Sequence, residues 1–329
     1  MNRRLRFGIA GYGNFAARAI APAIRNVGSA ELVAVQNRSA DRARANAAAA
    51  GVPHGFATVG EMVRHQDVDA IFIVSANSTH CPETIAAAEA GKHVIVEKPM
   101  ALTTSEAELM VEACRRNGVR LMVGHMIRFS PLAIRIREVV RSGLIGQVRS
   151  ARAEFVYAAR LSQRSWLYDR RLAGGGPVFD IGVHCIDTLR FVLDDEVVRT
   201  TGVLDPPPTQ ERTEETAHLA LRFSRGATAS VICSFRAPAR RRFIEIEGDD
   251  GVVSAADFTA GDIAGRLELS LGREEDRIER RSEAIAVPNL YVAEVSHFCN
   301  AVLTGAPLEL TGENGVANQR ILDAAMGSG

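Results

Sequence analysis

The sequence contains almost no lysine. Of its 329 residues 39 are basic, yet only Lys92 and Lys98 are lysine and all the others are arginine. Acidic side chains also number 39, so the formal net charge is zero. Such a chain has no general field that would hold nucleic acid or an anionic membrane, and no basic run is long enough to replace that field locally. We therefore expect neither nucleic acid nor a membrane among its partners.

Cysteine is also scarce. The five cysteines are odd in number, widely spread and never arranged as C-x-x-C. This distribution argues against a disulfide framework and against a thiolate metal site, and it is typical of reduced, buried thiols in the cytoplasm. We find no other metal-binding pattern. We therefore predict a cytoplasmic protein without a metal centre.

Long apolar runs are missing as well. Asn14 and Arg18 interrupt the most apolar early segment, so no stretch reaches the ~18 uninterrupted apolar residues of a transmembrane helix. Arg3 and Arg4 superficially resemble a twin-arginine export signal. Cleavage after the stretch that follows would remove a strand and a glycine turn that the fold needs, so we expect no such signal.

What is present is a balanced globular composition, with 47% hydrophobic and 24% charged residues. At this length two domains are more probable on size grounds than one. The first part of the chain alternates short apolar strands with segments of helical spacing. The predicted strands are residues 5–11, 31–36, 70–75, 93–97 and 119–123, and the predicted helices are residues 14–26, 41–50, 60–65, 82–90 and 105–117. Continuous apolar strands separated by helices indicate a parallel sheet covered on both faces.

The pattern changes after residue 123. A helix over residues 131–142 precedes a long extended segment, 147–158, and then strands in which polar and apolar residues alternate, which favours an antiparallel sheet. These strands are residues 216–223, 227–235 and 243–247, and closing helices are predicted over 290–303 and 313–326. We therefore predict an α/β fold with an N-terminal Rossmann domain, 1–123, and a C-terminal α/β domain, 124–329.

A glycine motif lies between the first strand and the first helix. Residues 11–16 read G-x-G-x-x-A, in which Gly11 allows the tight turn and Gly13 lets backbone approach a pyrophosphate. The start of the following helix attracts the phosphates. We predict cofactor contacts at these two glycines and at Asn14 and Phe15.

The second strand ends without a carboxylate. An acidic residue at this place would hold the ribose 2′-hydroxyl of NAD, but the chain has Asn37, Arg38 and Ser39 there. Arg38 could pair with a 2′-phosphate, with Asn37 and Ser39 as further donors. The alternative is that Arg38 is an ordinary surface arginine. The pattern favours NADP over NAD.

Polar residues also follow the apolar strand 70–75. Ser75, Asn77 and His80 come at its carboxyl end, the edge where open parallel sheets bind ligands. Asn77 could hydrogen-bond the cofactor ribose. His80 could line the same crevice, or it could begin the next helix with Thr79 as its cap.

Two further segments carry groups suited to alcohol oxidation. Glu97 and Lys98 end a predicted strand, while Asp180 and His184 are four residues apart and would share one helix face. An imidazole beside a carboxylate is a tunable base, and a lysine can donate to a carbonyl or alkoxide oxygen. The structural alternatives are a surface charge for Lys98, a helix cap for Asp180 and a buried ring for His184.

Taken together, these motifs resemble the glucose-fructose oxidoreductase, inositol dehydrogenase and MocA family. The resemblance spans essentially the whole chain, and it rests on residues 11–16, 75–80, 97–99, 123–129, Trp166 and 174–187. It implies a Rossmann domain followed by an α/β domain with a large, predominantly antiparallel open sheet, whose open face forms subunit interfaces in many members. A homodimer or homotetramer is therefore expected.

The resemblance also implies a chemistry. Substrates would be sugars, inositols or related polyols, with Lys98 contacting the reacting oxygen and Asp180 and His184 serving proton transfer. Arg128 and Trp166 fall where substrate-pocket residues often lie, or are a salt-bridged arginine and a core tryptophan. We predict an NAD(P)-dependent oxidoreductase that interconverts a secondary alcohol and its ketone. The alternatives are a glycosidase that oxidises its substrate transiently with a tightly held NAD, and a non-catalytic sugar or dinucleotide sensor.

Overall fold

The computed structural model of the protein describes residues 3–159, 164–272 and 277–327. The chain forms two compact units. The first contains Met1–His125 and Tyr291–Gln319, and the second contains Met126–Leu290 and Arg320–Gly329. A boundary after residue 123 stays a prediction. The later segment joins the first unit through an antiparallel bridge between Met122 and Thr311.

The first unit contains a parallel sheet of six strands in the order β3-β2-β1-β4-β5-β6. The strands are β1 Leu5–Ala10, β2 Ala30–Gln36, β3 His54–Phe56, β4 Ala70–Ile73, β5 His93–Glu97 and β6 Leu121–Gly124. This is the Rossmann order, and it confirms the predicted fold. Every residue of β4 and β6 is buried, as expected for strands that are covered on both faces.

Helices alternate with these strands. They are a π-helical turn Ala16–Ile20 leading into α1 Ala21–Arg25, then α2 Ala40–Ala50, α3 Val59–Val63, α4 Asn77–Glu89 and α5 Thr104–Arg116. The predicted start of α4 was wrong. We predicted a helix over residues 82–90, whereas α4 begins at Asn77 and contains Pro82 in its interior. The α9 helix, Leu290–Thr304, completes this unit together with the first part of α10, Gly312–Met326.

The second unit contains a sheet of eight strands in the order β14-β13-β12-β11-β7-β10-β9-β8. The strands are β7 Val148–Ala158, β8 Val197–Asp205, β9 Thr216–Phe223, β10 Thr228–Ser234, β11 Arg236–Gly248, β12 Gly251–Ala256, β13 Ile263–Leu271 and β14 Glu279–Val287. All neighbouring strands pair antiparallel except β7 and β10, which are parallel. The predicted, largely antiparallel sheet is confirmed, although β8, β12, β13 and β14 were not foreseen.

The second unit also contains helices. They are α6 Pro131–Arg141, α7 Arg170–Ala173 and α8 Val183–Leu193, with a π-helical turn Val178–Gly182 directly before α8. Of these, α6 and α8 contact the sheet. Every residue of α8 is buried, and α8 contacts β7. Along β9, buried and exposed residues alternate after Thr216, so the sheet has one covered and one open face.

Two expectations from the composition can be compared with the structure. All five cysteines are free thiols and buried, as predicted. Within residues 3–159, 164–272 and 277–327, no helix combines the length and the apolar character that crossing a membrane requires.

Candidate active site

The glycine loop after β1 has the shape that its sequence requires. Gly11 has a φ of +79°, and a Cβ added there would lie 2.6 Å from the backbone of Ser75. Any other residue would therefore be strained and would clash. Beside Gly13 there is open space, since the nearest atom to an added Cβ is 3.9 Å away. A phosphate could approach the backbone at this position.

Side chains from β2 and α2 hold this loop. The backbone amide of Gly11 donates to Gln36 Oε1 at 3.0 Å. The side-chain amide of Asn37 donates to the backbone carbonyl of Tyr12 at 3.0 Å. Asn46 donates to the same carbonyl at 3.3 Å. The contact of Asn37 favours a role in fixing the loop over the predicted role as a phosphate donor.

Arg38 is placed differently from Asn37. Its side chain is exposed, and none of the described residues offers it an ion pair or hydrogen bond. Ser39 accepts from the backbone of Arg42 at 3.5 Å and caps α2. A guanidinium at the end of β2 with no competing carboxylate fits the 2′-phosphate of NADP. The loop and Arg38 together fit a dinucleotide.

The remaining predicted cofactor residues surround the same sheet edge. Asn14 and Phe15 are exposed at the beginning of the first helix, and the Phe15 ring meets the Tyr291 ring edge-on at 5.7 Å. Asn77 is buried in the first turn of α4. Ser75 donates to Glu83 at 2.6 Å, so its hydroxyl has a structural partner.

His80 joins the ends of two strands. Its Nδ1 lies 3.0 Å from the Pro99 carbonyl and its Nε2 lies 3.3 Å from the Ser75 carbonyl. Burial, with a smaller contribution from the charge of Lys98, lowers the pKa of His80 to about 4. The ring is therefore neutral near pH 7. The ring therefore has a single N–H and donates to one of the two carbonyls while it packs against the other. His80 lies in the first turn of α4, and Thr79 does not cap this helix but donates to Ser75 and Ala76.

The segment that carries Lys98 contains a buried acid beside it. Glu97 ends β5 and is 8% exposed, and Lys98 itself is half-buried. Glu294 of α9 is fully buried, and neither of its carboxyl oxygens has a hydrogen-bond partner among the residues that the structure describes. Burial raises the pKa of Glu294 well above its usual value, and the charge of Glu97 adds to this. We missed Glu294, although an acid within the apolar helix 290–304 was a visible signal.

Lys92, the other lysine, has a structural role. Its Nζ donates to the backbone carbonyls of Val68 at 2.7 Å and His65 at 3.3 Å. Lys92 therefore fixes the loop before β4. A substitution of Lys92 would disturb this loop and is unsuitable as a control for Lys98 variants.

In the second unit, Asp180 lies at the centre of a buried hydrogen-bond network. Its Oδ2 accepts from the Tyr157 hydroxyl at 2.8 Å and from Arg164 at 3.1 Å, and its Oδ1 accepts from Arg164 at 3.2 Å. Arg164 also donates to the Tyr157 hydroxyl at 2.6 Å. Burial, followed by the charge of Asp180, raises the pKa of Tyr157, so this hydroxyl stays protonated. Sequence reasoning missed Tyr157 and Arg164 because they come from β7 and from the segment before Trp166.

His184 follows Asp180 on the same helical segment. Asp180 belongs to the π-helical turn and His184 to the first turn of α8, and both are 7% exposed. The His184 ring lies 6.1 Å from the ring of Phe155, which precedes Tyr157 on β7 by two positions and so points to the same face. The structure thus places Asp180 and His184 against one face of β7.

A close backbone approach fixes the start of this helical segment. A Cβ on Gly176 would lie 2.0 Å from the carbonyl oxygen of Glu214. The Glu214 side chain accepts from the Val178 amide at 3.0 Å, and burial raises its pKa. Glycine at 176 is therefore required for the turn that positions Asp180.

The two predicted substrate residues differ in their surroundings. Arg128 forms a buried bidentate ion pair with Asp187, at 2.8 Å and 3.0 Å, which favours the structural alternative for Arg128. Trp166 is half-buried in a short 3-10 turn, Ser165–Tyr168, and is therefore not a core tryptophan.

Three potential metal ligands meet elsewhere in the first unit. One ligand atom each from His54, His65 and Asp67 lies within 4.8 Å of the others, and all three residues are half-buried. His54 Nε2 contacts Asp67 at 3.0 Å, and Arg6 pairs with the same carboxylate at 3.1 Å. These contacts account for the cluster without an ion.

Comparisons with known proteins agree with this architecture. Residues 5–125 match the family model described as "Oxidoreductase family, NAD-binding Rossmann fold", and residues 133–254 match the "GFO/IDH/MocA C-terminal domain". The aldose-aldose oxidoreductase of Caulobacter crescentus has a similar structure, with a TM-score of 0.88 and 28% identity over 99% of this chain and 97% of that one.

Curated relatives cover almost the full length. The 1,5-anhydro-D-fructose reductase of Ensifer adhaerens is 30% identical over 94% of this chain and 92% of its own. A D-xylose 1-dehydrogenase (NADP(+)) of Haloferax volcanii is 29% identical over 97% of this chain and 95% of its own. The chain belongs to the GFO/IDH/MocA oxidoreductase family and is an NAD(P)-dependent dehydrogenase or reductase.

Proposed function

We propose that the protein interconverts a secondary alcohol and the corresponding ketone of a sugar or related polyol. The observation that carries this proposal is the arrangement of Asp180, which lies on the same helical segment as His184. Its carboxylate accepts three hydrogen bonds, one from Tyr157 and two from Arg164. Relatives whose names specify anhydrofructose and xylose support the substrate class.

The proposed roles follow from the chemistry of the side chains. His184 removes the hydroxyl proton in the oxidative direction and returns it in the reductive one. Asp180, held by Tyr157 and Arg164, stabilises the protonated imidazole and fixes its orientation. Lys98 donates to the reacting oxygen and stabilises charge that develops there. The nicotinamide, when bound, accepts or supplies the hydride.

We propose NADP as the preferred cofactor. The carboxylate that would favour NAD is absent from the end of β2, and Arg38 is exposed there with no ion-pair partner among the described residues. The pyrophosphate of the cofactor would be lined by residues of the glycine loop and the start of the first helix, namely Gly11, Gly13, Asn14 and Phe15. Ser75, Asn77 and Glu97 complete the predicted contacts, and His80 positions the segments that carry them.

The assignment is tested by assaying neutral and charged sugars and polyols with each cofactor, following absorbance of the reduced nicotinamide. Lys98→Ala and His184→Ala should each lower kcat/KM at least about 100-fold, with cofactor affinity nearly unchanged. His218→Ala is the matched control because His218 is exposed on β9. Wild-type turnover in both variants would refute the assignment, and hydrolysis of an aryl glycoside without net nicotinamide reduction would replace it with the glycosidase alternative.

We also propose a homo-oligomer formed through the open face or edge of the eight-stranded sheet. The family resemblance implies such an assembly, and the sheet has an open face and an edge strand, β8, on which Val203 is 72% exposed. Light scattering after gel filtration distinguishes a monomer from a dimer or tetramer. The cytoplasmic location stays a prediction.

A further inference from the structure

The first half of β11 carries four arginines, and three of them have carboxylate partners. The pairs are Arg236 with Asp205 and Glu215, Arg241 with Glu154, and Arg242 with Asp257. Arg240 is exposed and has no carboxylate partner among the residues that the structure describes. Its guanidinium lies 5.7 Å from the centre of the Tyr157 ring instead.

A bulge in β11 presents Arg240 to this ring. Arg236 pairs with Ala158 and Arg241 pairs with Val156, so β11 has more residues than β7 over this stretch. Bulges redirect side chains and are common beside active sites. The irregularity lies opposite Tyr157, the residue whose hydroxyl donates to Asp180 at 2.8 Å. The strand pairing therefore places Arg240 against the ring of Tyr157, whose hydroxyl contacts the proposed proton-transfer residue Asp180.

The charges around Tyr157 do not cancel. Arg164 is balanced by Asp180, with which it forms two hydrogen bonds. Arg240 adds a second positive charge that none of the described carboxylates neutralises. Because its guanidinium lies over an aromatic ring, its N–H groups at the rim of the plane remain able to bind a planar or tetrahedral anion.

We infer that the substrate carries an anionic group, either a carboxylate or a phosphate ester, which Arg240 binds. This inference rests on the proposed function and specifies its substrate class. Guanidinium groups match the geometry of both anions, whereas a neutral polyol would leave the charge of Arg240 unused.

Kinetics with matched substrates test the inference. We would measure kcat/KM for several hexoses, each in three forms: the neutral hexose, its hexuronate and its 6-phosphate. Each form is assayed with NADP and with NAD. The better anionic form should exceed its neutral counterpart at least about tenfold in kcat/KM, and the two anionic arms show which group is preferred. In Arg240→Gln the ratio should fall to about one, whereas the paired neighbour Arg241→Gln should keep the wild-type ratio.

Binding measurements separate this inference from the proposed function. In the wild type, the hexuronate or hexose 6-phosphate should raise Tm more than the neutral hexose does. In Arg240→Gln the neutral and anionic sugars should raise Tm equally. Added salt should reduce the difference seen in the wild type. Binding of this kind without nicotinamide reduction would refute the proposed reaction and retain the anion site. An equal Tm shift for neutral and anionic forms, or a ratio unchanged by Arg240→Gln, would overturn the anion site.

Discussion

At the scale of single residues, the hydroxyl of Tyr157 is the most informative group to remove. Tyr157→Phe deletes one donor to Asp180 and keeps the ring, so it should cost about 1 kcal/mol of stability. It should also lower kcat about tenfold, because in the proposed mechanism a less firmly held Asp180 would orient His184 less well. Steady-state kinetics and urea denaturation measure the two effects.

Tyr168→Phe is the matched control for this change. Tyr168 is half-buried and packs its ring against Phe235 at 5.9 Å, as Tyr157 does at 5.5 Å. Its variant should retain the wild-type kcat. Equal loss of kcat in both variants would show that the hydroxyl of Tyr157 has no specific role.

Glu294 should make the stability of the protein depend on pH. Its pKa in the folded state is raised from the ordinary 4.5, so the folded state holds a proton that the unfolded state releases. Stability should therefore fall as pH rises above 4.5 toward the folded-state pKa. Glu97 and Tyr291 are the titratable groups that face it. Glu294→Gln, which removes this titration, should gain Tm relative to wild type increasingly between about pH 5 and pH 8.

Thermal unfolding across that pH range checks this expectation. Glu89→Gln, on an exposed position of α4, should follow the wild-type curve. The same pH slope in Glu294→Gln and wild type would show that the buried acid does not control it.

At the scale of elements, the turn before α8 depends on Gly176. A methyl group there would meet the Glu214 carbonyl oxygen at 2.0 Å, and backbone cannot yield as a side chain can. Gly176→Ala should therefore destabilise the protein by about 3 kcal/mol. Gly28→Ala is the control, because an added Cβ there has no neighbour within 4 Å. Chemical denaturation measures both, and a stable Gly176→Ala protein would contradict this account of the turn.

The elements also show what local sequence could and could not predict. Strands such as β4, buried along their whole length, are short apolar runs and were found. In β14 the first four residues are exposed, and this edge strand is defined mainly by its pairing with β13. The parallel pairing of β7 with β10 depends on contacts distant in sequence. Local periodicity contains no information about it.

The candidate site also contains some residues that local sequence could identify and others that it could not. Lys98, Asp180 and His184 belong to short motifs and could be named from sequence. Tyr157 and Arg164 reach Asp180 only through the folded second unit, so no motif marks them.

At the scale of the whole molecule, cofactor binding should stabilise the protein by mass action. A nucleotide at about 100 times its Kd adds about 2.7 kcal/mol to the free energy of unfolding. At equal concentration NADP should raise Tm more than NAD, because the proposed pairing of Arg38 with the 2′-phosphate would add to the binding of NADP alone. Arg38→Gln should remove this difference, and Arg42→Gln, at an exposed position on α2, should retain it. A larger shift with NAD in the wild type would reverse the cofactor assignment.

The scarcity of lysine gives the chain a built-in chemical label. Apart from the α-amine, only two amino groups exist in the sequence, and Lys92 donates its protons to two backbone carbonyls. Limited acylation followed by peptide mass spectrometry should therefore report mainly on Lys98. The rate at which Lys98 is acylated, measured with and without nucleotide or sugar, would then report occupancy of the site without depending on turnover.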